Sequence, residues 1–217
     1  MGMVILFEDP HLLAVSKPSG QVVIPGRGNL PGEPLITEVE RQTGQKMFVV
    51  HRIDRGASGL VLIAKSPQAH RFLSLQFERR EVKKAYLVLV QGTQDSGGPI
   101  EEPLRAFGSG RIGVDAAGKP SVTEFQVRER LKGATLLEVS PLTGRRHQIR
   151  VHLFSLGHPV MGDPLYGKDR PVGGMPRLML HAWTLEFRHP DGRILALRAD
   201  PPPDFESVLT RLRVDQS

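Results

Sequence analysis

Apolar positions along the chain fall into short runs broken by turn residues, with few long amphipathic stretches. Met3-Val4-Ile5-Leu6-Phe7 and Leu12-Leu13-Ala14-Val15-Ser16 flank Glu8-Asp9-Pro10-His11, which predicts a hairpin. Lys17-Pro18-Ser19-Gly20 ends the second strand, and an extended segment resumes over 21–24. Residues 25–34, rich in glycine and proline, predict a loop; Gly26-Arg27-Gly28 within it lacks the Gly-Lys-Ser/Thr and strand–helix setting of a nucleotide P-loop. Leu35, Ile36 and Val39 place a short helix running to Thr43 and stopped by Gly44. Phe48-Val49-Val50 is a strand, and Leu60-Val61-Leu62-Ile63-Ala64 reads as a fully buried one. Ser66-Pro67 pairs an N-cap with a proline at the first helical position, and Ala69, Phe72, Leu73, Gln76 and Phe77 form one packed face.

The second half continues in the same style. Residues 85–90 form a strand with Tyr86 near its start, and the glycine-containing loop 91–99 is a candidate lobe boundary. The segment 103–120, rich in glycine and arginine, has no clear periodicity and is not placed. Strands over 122–130 and 135–139 are joined by Lys132-Gly133. Ile149, Leu153 and Leu156 predict a helix face stopped by Gly157. Arg146 and Arg150, four apart, are expected on one side of that helix, a like-charged pairing that calls for an anion, either phosphate or Asp54. Gly162-Asp163-Pro164-Leu165-Tyr166-Gly167 reads as a turn, 178–187 as a strand, Pro190-Asp191-Gly192 as a hairpin turn into 194–197, and 204–212 as a terminal helix. Strands dominate and are joined largely by hairpins, so the expected class is α+β with a mixed, mostly antiparallel sheet and flanking helices.

At 217 residues with 39% hydrophobic content, the chain can bury a sizeable core as one large domain or two small ones. The net charge of +6 points to a polyanionic partner, with nucleic acid first because no basic amphipathic segment suggests a membrane surface. Between His51 and Val90 there are eight Lys or Arg against three Asp or Glu, so the excess is concentrated and suggests a basic cleft. No cysteine is present, which excludes disulfides, thiolate zinc sites and cysteine nucleophiles. With no signal pattern and no run of membrane-spanning length, the expected location is cytoplasmic.

The chemistry concentrates in His51-Arg52-Ile53-Asp54-Arg55-Gly56-Ala57-Ser58-Gly59-Leu60. Burying Asp54 alone would cost several kcal/mol, roughly, so it needs cationic partners, and the small residues beside it allow a ligand to approach closely. Metal catalysis fits poorly: His147 and His152 are five apart and share no helix face, and His51 with Asp54 lacks a third ligand. Ser58 lacks the Gly-x-Ser-x-Gly elbow and reads as a turn or backbone cap, while Asp54 has no carboxylate partner for glycoside hydrolysis. What remains is a lone, ionised carboxylate among cations, fit for nucleophilic attack or proton abstraction on a substrate held by its phosphates.

The segment from His51 to Gly59 closely resembles the His-Arg-Leu-Asp-x-x-Thr-Ser-Gly motif of the RluA-type pseudouridine synthases. The resemblance extends in order to Lys83-Lys84-Ala85-Tyr86, to Thr143-Gly144-Arg145-Arg146-His147-Gln148-Ile149-Arg150-Val151-His152, to Gly162-Asp163 and to Leu180-His181-Ala182, nearly the whole chain. It implies a single catalytic domain over 1–217, with two sub-lobes meeting at a central active-site cleft, and no S4-like module ahead of it. It implies isomerisation of specific uridines in ribosomal or transfer RNA stem-loops by a monomer needing no metal or organic cofactor. Asp54 matches the catalytic aspartate, Tyr86 the tyrosine that stacks on the flipped base, and Arg150 the arginine that ion-pairs with the aspartate. Arg52 matches a residue that enters the space left by the flipped nucleotide, and His51, Arg55, Lys83, Lys84, Arg145 and Arg146 join it as RNA-binding candidates. Ile53 and Ala57 depart from the common leucine and threonine without removing a catalytic group. His147, His152 and His181 are expected as structural hydrogen-bonders, and Trp183 and Phe187 as core. The competing reading is a non-catalytic RNA-binding protein that retains the fold.

Overall fold

The computed structural model describes residues 3–26, 31–108, 110–167 and 175–214. Arg27 and Gly28 of the rejected phosphate-loop candidate lie outside them. The chain divides into two compact units, Met1–Lys84 with Ala182–Asp200, and Ala85–His181 with Pro201–Ser217. The divisions at Lys84/Ala85 and His181/Ala182 fall inside strands, away from the 91–99 loop expected as the boundary.

In the first unit, β1 (Val4–Glu8) and β2 (Leu12–Lys17) form the expected hairpin. Asp9 closes it, its Oδ1 accepting the backbone N–H of His11 and Leu12 at 2.8 and 2.9 Å. β2 pairs antiparallel with β4 (Ser58–Ala64), from Leu12 opposite Ala64 to Lys17 opposite Gly59, and β3 (Phe48–Val49) also pairs with β4. The strand order is β1-β2-β4-β11, where β11 is Leu180–Arg188 and β12 (Ile194–Arg198) pairs antiparallel with it.

Both faces of β2 and β4 are covered, which explains why their sequences read as continuous apolar runs. Leu12, Ala14, Leu60, Leu62 and Ala64 pack with Ala69 and Leu73 of helix α2 (Pro67–Glu78). The alternate residues Leu13, Val15, Val61 and Ile63 pack with Leu35 and Val39 of helix α1 (Leu35–Thr43). Strand period and helix placement therefore agree: one set of side chains meets each helix. The predicted caps are present, with Ser66 Oγ accepting from Ala69 N–H at 3.1 Å and Gly44 left-handed at φ 66°.

The second unit is built on β5 (Lys83–Gln91, whose first two residues belong to the first unit), β10 (Ala134–Pro141), β9 (Thr123–Leu131) and β6 (Gly98–Ile100), antiparallel in the order β5-β10-β9-β6. Helix α4 (Pro203–Val214) buries Phe205, Val208, Leu209 and Leu212. The unplaced segment 103–120 contains a small hairpin, β7 (Leu104–Ala106) with β8 (Ile112–Val114). Helix α3 spans Gln148–Ser155, preceded by His147 in the left-handed region at φ 54°. Arg146 consequently lies outside the helix, exposed, and does not share a helical side with Arg150 as its spacing suggested. Phe187 is core, whereas Trp183 is half-buried with the Arg198 guanidinium 5.3 Å from its ring centroid. The α+β class with a mostly antiparallel sheet holds.

Gly59, at φ 109°, has no room for a side chain: a Cβ would run into the Ala182 backbone of β11. Gly59→Ala is expected to destabilise the protein by on the order of 3 kcal/mol, read as a lowered urea midpoint against wild type.

Candidate active site

The segment carrying Asp54 connects β3 to β4, and its geometry is set by a residue outside the motif. Lys17, the last residue of β2, continues the inward alternation of Leu13 and Val15 and is fully buried. A buried ammonium must have every donor satisfied. Its Nζ lies 2.8 Å from Pro18 O, 2.8 Å from Gln21 O, 3.2 Å from Arg55 O and 2.6 Å from Ala57 O. Ser19 Oγ donates to Gly56 O at 2.6 Å, and Gly20 N–H donates to Arg55 O at 2.8 Å. The carbonyls of residues 55, 56 and 57 are thus all drawn towards the 17–20 segment. Ala57 N–H closes the turn on Asp54 O at 3.1 Å, and the Asp54 side chain is half-buried.

At the other end of the motif, His51 Nε2 accepts the Leu62 backbone N–H at 3.0 Å, and the ring stacks on Phe77 with centroids 4.6 Å apart. Burial, with the nearby Lys84 cation adding to it, pulls its pKa down to about 3. The ring is neutral, its Nε2 is committed to β4, and it adds no positive charge for a phosphate. Arg52 and Arg55 are exposed, and Arg55 Nε donates to Gly20 O at 2.8 Å. Lys83 ion-pairs with Glu186 at 2.7 Å on the surface, and burial lowers the pKa of Lys84.

In the second unit Tyr86 sits on β5, half-buried and opposite Val139 of β10. Arg150 is buried in α3, and its Nε and Nη2 donate to Asp163 Oδ2 and Oδ1, both at 2.7 Å. This bidentate geometry is the strong, orientation-fixing form of an arginine–carboxylate pair. Asp163 Oδ1 also accepts the N–H of Leu165 at 2.8 Å and of Tyr166 at 3.1 Å. The guanidinium lies 5.1 Å from the centroid of the buried Tyr166 ring. The Tyr166 hydroxyl accepts Ile112 N–H at 3.0 Å and meets His147 Nδ1 at 3.1 Å, and burial raises its pKa.

The rest of the Thr143–His152 segment is a chain of neutral hydrogen bonds. Gln148 Oε1 accepts Thr143 Oγ1–H at 2.7 Å and Arg145 N–H at 3.0 Å, and Gln148 Nε2 donates to Thr123 Oγ1 at 2.9 Å. Thr123 Oγ1–H donates to His152 Nδ1 at 2.9 Å, and His152 Nε2–H donates to Glu102 O at 3.0 Å. That tautomer satisfies every member, and burial lowers the pKa of His152 in keeping with a neutral ring. Arg145 donates to Pro120 O at 3.3 Å from Nη2, and Arg146 is exposed.

Sequence reasoning missed Lys17, Asp163 and Tyr166. Lys17 carried a signal, since its period places it on the covered face of β2, where a lysine needs a reason. Tyr166 read only as a turn residue, and Asp163 as a turn residue within the resemblance but with no role, because what they hold becomes apparent once α3 is placed beside them.

Residues 11–155 match the RNA pseudouridylate synthase family. The ribosomal large subunit pseudouridine synthase D of Nitrosomonas europaea is 40% identical to the chain, over 96% of this chain and 65% of that protein. The ribosomal large subunit pseudouridine synthase C of Vibrio parahaemolyticus is 39% identical, over 96% of this chain and 69% of that protein. The chain thus spans about two thirds of the length of these relatives. The solved structure of human RNA pseudouridylate synthase domain containing 1 superposes with a TM-score of 0.78 at 27% identity, over 97% of this chain and 94% of that one.

Two predictions follow from the buried charges. Asp163→Asn leaves the Arg150 cation without its carboxylate and is expected to cost about 3–5 kcal/mol in urea unfolding. His51 has a folded pKa below its unfolded value, so the unfolded chain takes up the proton first as pH falls. Its contribution to stability is complete above about pH 6.5 and is lost towards pH 3, at no more than about 1.4 kcal/mol per pH unit. His51→Gln should therefore show a shallower decline of urea midpoint between pH 7 and 5 than wild type.

Proposed function

This chain belongs to the RNA pseudouridylate synthase family, and we propose that it converts specific uridines of large-subunit ribosomal RNA to pseudouridine, with Asp54 as the catalytic carboxylate. The observation that carries the proposal is the Asp54 loop, a motif of the family held in one conformation by a buried ammonium on one side and a neutral histidine on the other. Such a loop presents a carboxylate whose position does not have to be found anew at each turnover.

The reaction is an isomerisation. The uridine C1′–N1 bond breaks, the base turns, C5 bonds to C1′, and the proton lost from C5 is balanced by one gained at N1. Asp54 serves by attack on the ribose or the base, or by abstraction of a ribose proton. Tyr86 stacks on the base and assists loss of the C5 proton. Arg150 is the arginine of the family's active-site set, and its orientation is fixed by Asp163 and Tyr166. The target nucleotide must leave the stack, because the glycosidic bond is inaccessible within a helix. Arg52, exposed beside Asp54, occupies the vacated space, and Arg55, Lys83, Lys84, Arg145 and Arg146 contribute positive charge for the RNA backbone. No helix among the described residues is long and apolar enough to cross a membrane. We place the reaction in the cytoplasm, carried out by a monomer.

The test is tritium release from large-subunit ribosomal RNA labelled at uridine C5. Asp54→Asn is expected to slow release by on the order of 10³-fold while retaining RNA affinity and urea midpoint. Equal rates for the variant and wild type would remove Asp54 from the chemistry.

A further inference from the structure

The hairpin β7–β8 and helix α3 border an open cavity of about 400 Å³ in the second unit, lined by none of the residues assigned above to contact with the substrate. We propose that this cavity is a second base-binding subsite, taking an unstacked nucleobase of the substrate RNA at a nucleotide other than the one isomerised. The inference rests on the RNA reading above and adds to it where the chain grips that RNA.

The volume lies in the range of small-molecule sites and suits one base with its ribose. Phe107 and Phe154 line the cavity and are 44% and 42% exposed. Exposed aromatics beside a concave opening are a stacking platform for single-stranded nucleic acid, since every base offers a π-face. Gly113 of β8 shapes this platform: a Cβ there would meet the Phe107 ring at 2.9 Å, so the ring lies against backbone.

Charge selects the occupant. Arg111 supplies the positive charge among the described residues that line the cavity. The Arg111 side chain is exposed yet fixed in place, with Nη2 donating to Leu165 O at 3.0 Å and the guanidinium 5.4 Å from the Tyr166 ring centroid. A cation held at the rim of an apolar slot is what a nucleotide offers a match for: phosphate outside and base within. Ser155 Oγ, the one hydroxyl besides Tyr166, already donates to His152 O at 2.8 Å. With little left to read base edges, recognition here is by stacking and tolerates any base. Tyr166 forms part of the wall and carries Arg150 on its ring, so a base in the cavity touches the residue that braces the candidate catalytic arginine.

The experiment uses in vitro transcribed large-subunit ribosomal RNA, once with tritium at uridine C5 and once with 5-iodouridine. Phe107→Ala and Phe154→Ala are each expected to raise KM about tenfold with a much smaller change in kcat, and Phe107→Trp to restore KM. Irradiation of wild type with the iodinated RNA is expected to leave an adduct on the peptide containing Phe107 or Phe154. Unmoved KM in both alanine variants at unchanged urea midpoints, with adducts elsewhere, would overturn the subsite. A wild type that releases no tritium defeats the functional reading instead, and the adduct map then still reports whether RNA enters the cavity.

Discussion

An ammonium group taken out of water has lost several kcal/mol of hydration, roughly, and the surrounding chain must return it through hydrogen bonds. At Lys17 four backbone carbonyls do so, two from the residues just after β2 and two from the loop that carries Asp54. The requirement runs both ways. The ammonium needs those carbonyls, and carbonyls turned inward at the end of a strand need a donor. Because Lys17 stands opposite Gly59 at the end of the β2–β4 ladder, satisfying it fixes where the loop leaves the sheet. Asp54 precedes the first of the loop carbonyls it binds, so one charge–dipole cluster sets the direction in which the carboxylate can face.

Arg150 follows the same logic with a different solution. Its burial is balanced by a full opposite charge, Asp163, and by the face of a tyrosine. A carboxylate neutralises it where carbonyls would leave net charge, and the planar fork fixes orientation as well as position. Beside it Thr143, Gln148, Thr123 and His152 are neutral, and their hydrogen bonds run in one consistent direction. A protonated His152 would break that direction, which explains why a histidine in a basic chain is kept neutral. The two units thus reach the same end, a rigidly held functional group, through opposite electrostatic means.

Most of the scaffold was legible in the sequence because local patterning and global packing agree there. The caps at Ser66 and Gly44, the hairpin around Asp9 and the buried β4 each follow from residues within a few positions of one another. What escaped was what depends on residues far apart in the chain. Arg146 and Arg150 have helical spacing, but His147 adopts a left-handed conformation that supports the Tyr166 hydroxyl, and the helix starts after it. His51 lies in a basic motif, yet its neutral state comes from an environment built by Phe77 and Leu62, which the motif itself does not show. The hairpin in 103–120 was hidden because its strands are three residues each and its apolar partners, Val151 and Tyr166, come later in the chain.

The order in which the chain leaves the ribosome adds one more constraint. The chain crosses between the units at residues 84, 181 and 200, so neither is a continuous segment. Gly59 waits for Ala182 to close over it, and only the 62–64 end of the β4 edge is paired, by β3 and the residues after it, before β11 is made. A nascent chain therefore carries a largely apolar strand with a partly open edge through synthesis of the middle of the protein, the kind of exposure that favours wrong pairings. The hydrogen bonds around the Asp54 loop join residues within 17–62, whereas the sheet beneath it is completed only when β11 pairs with β4.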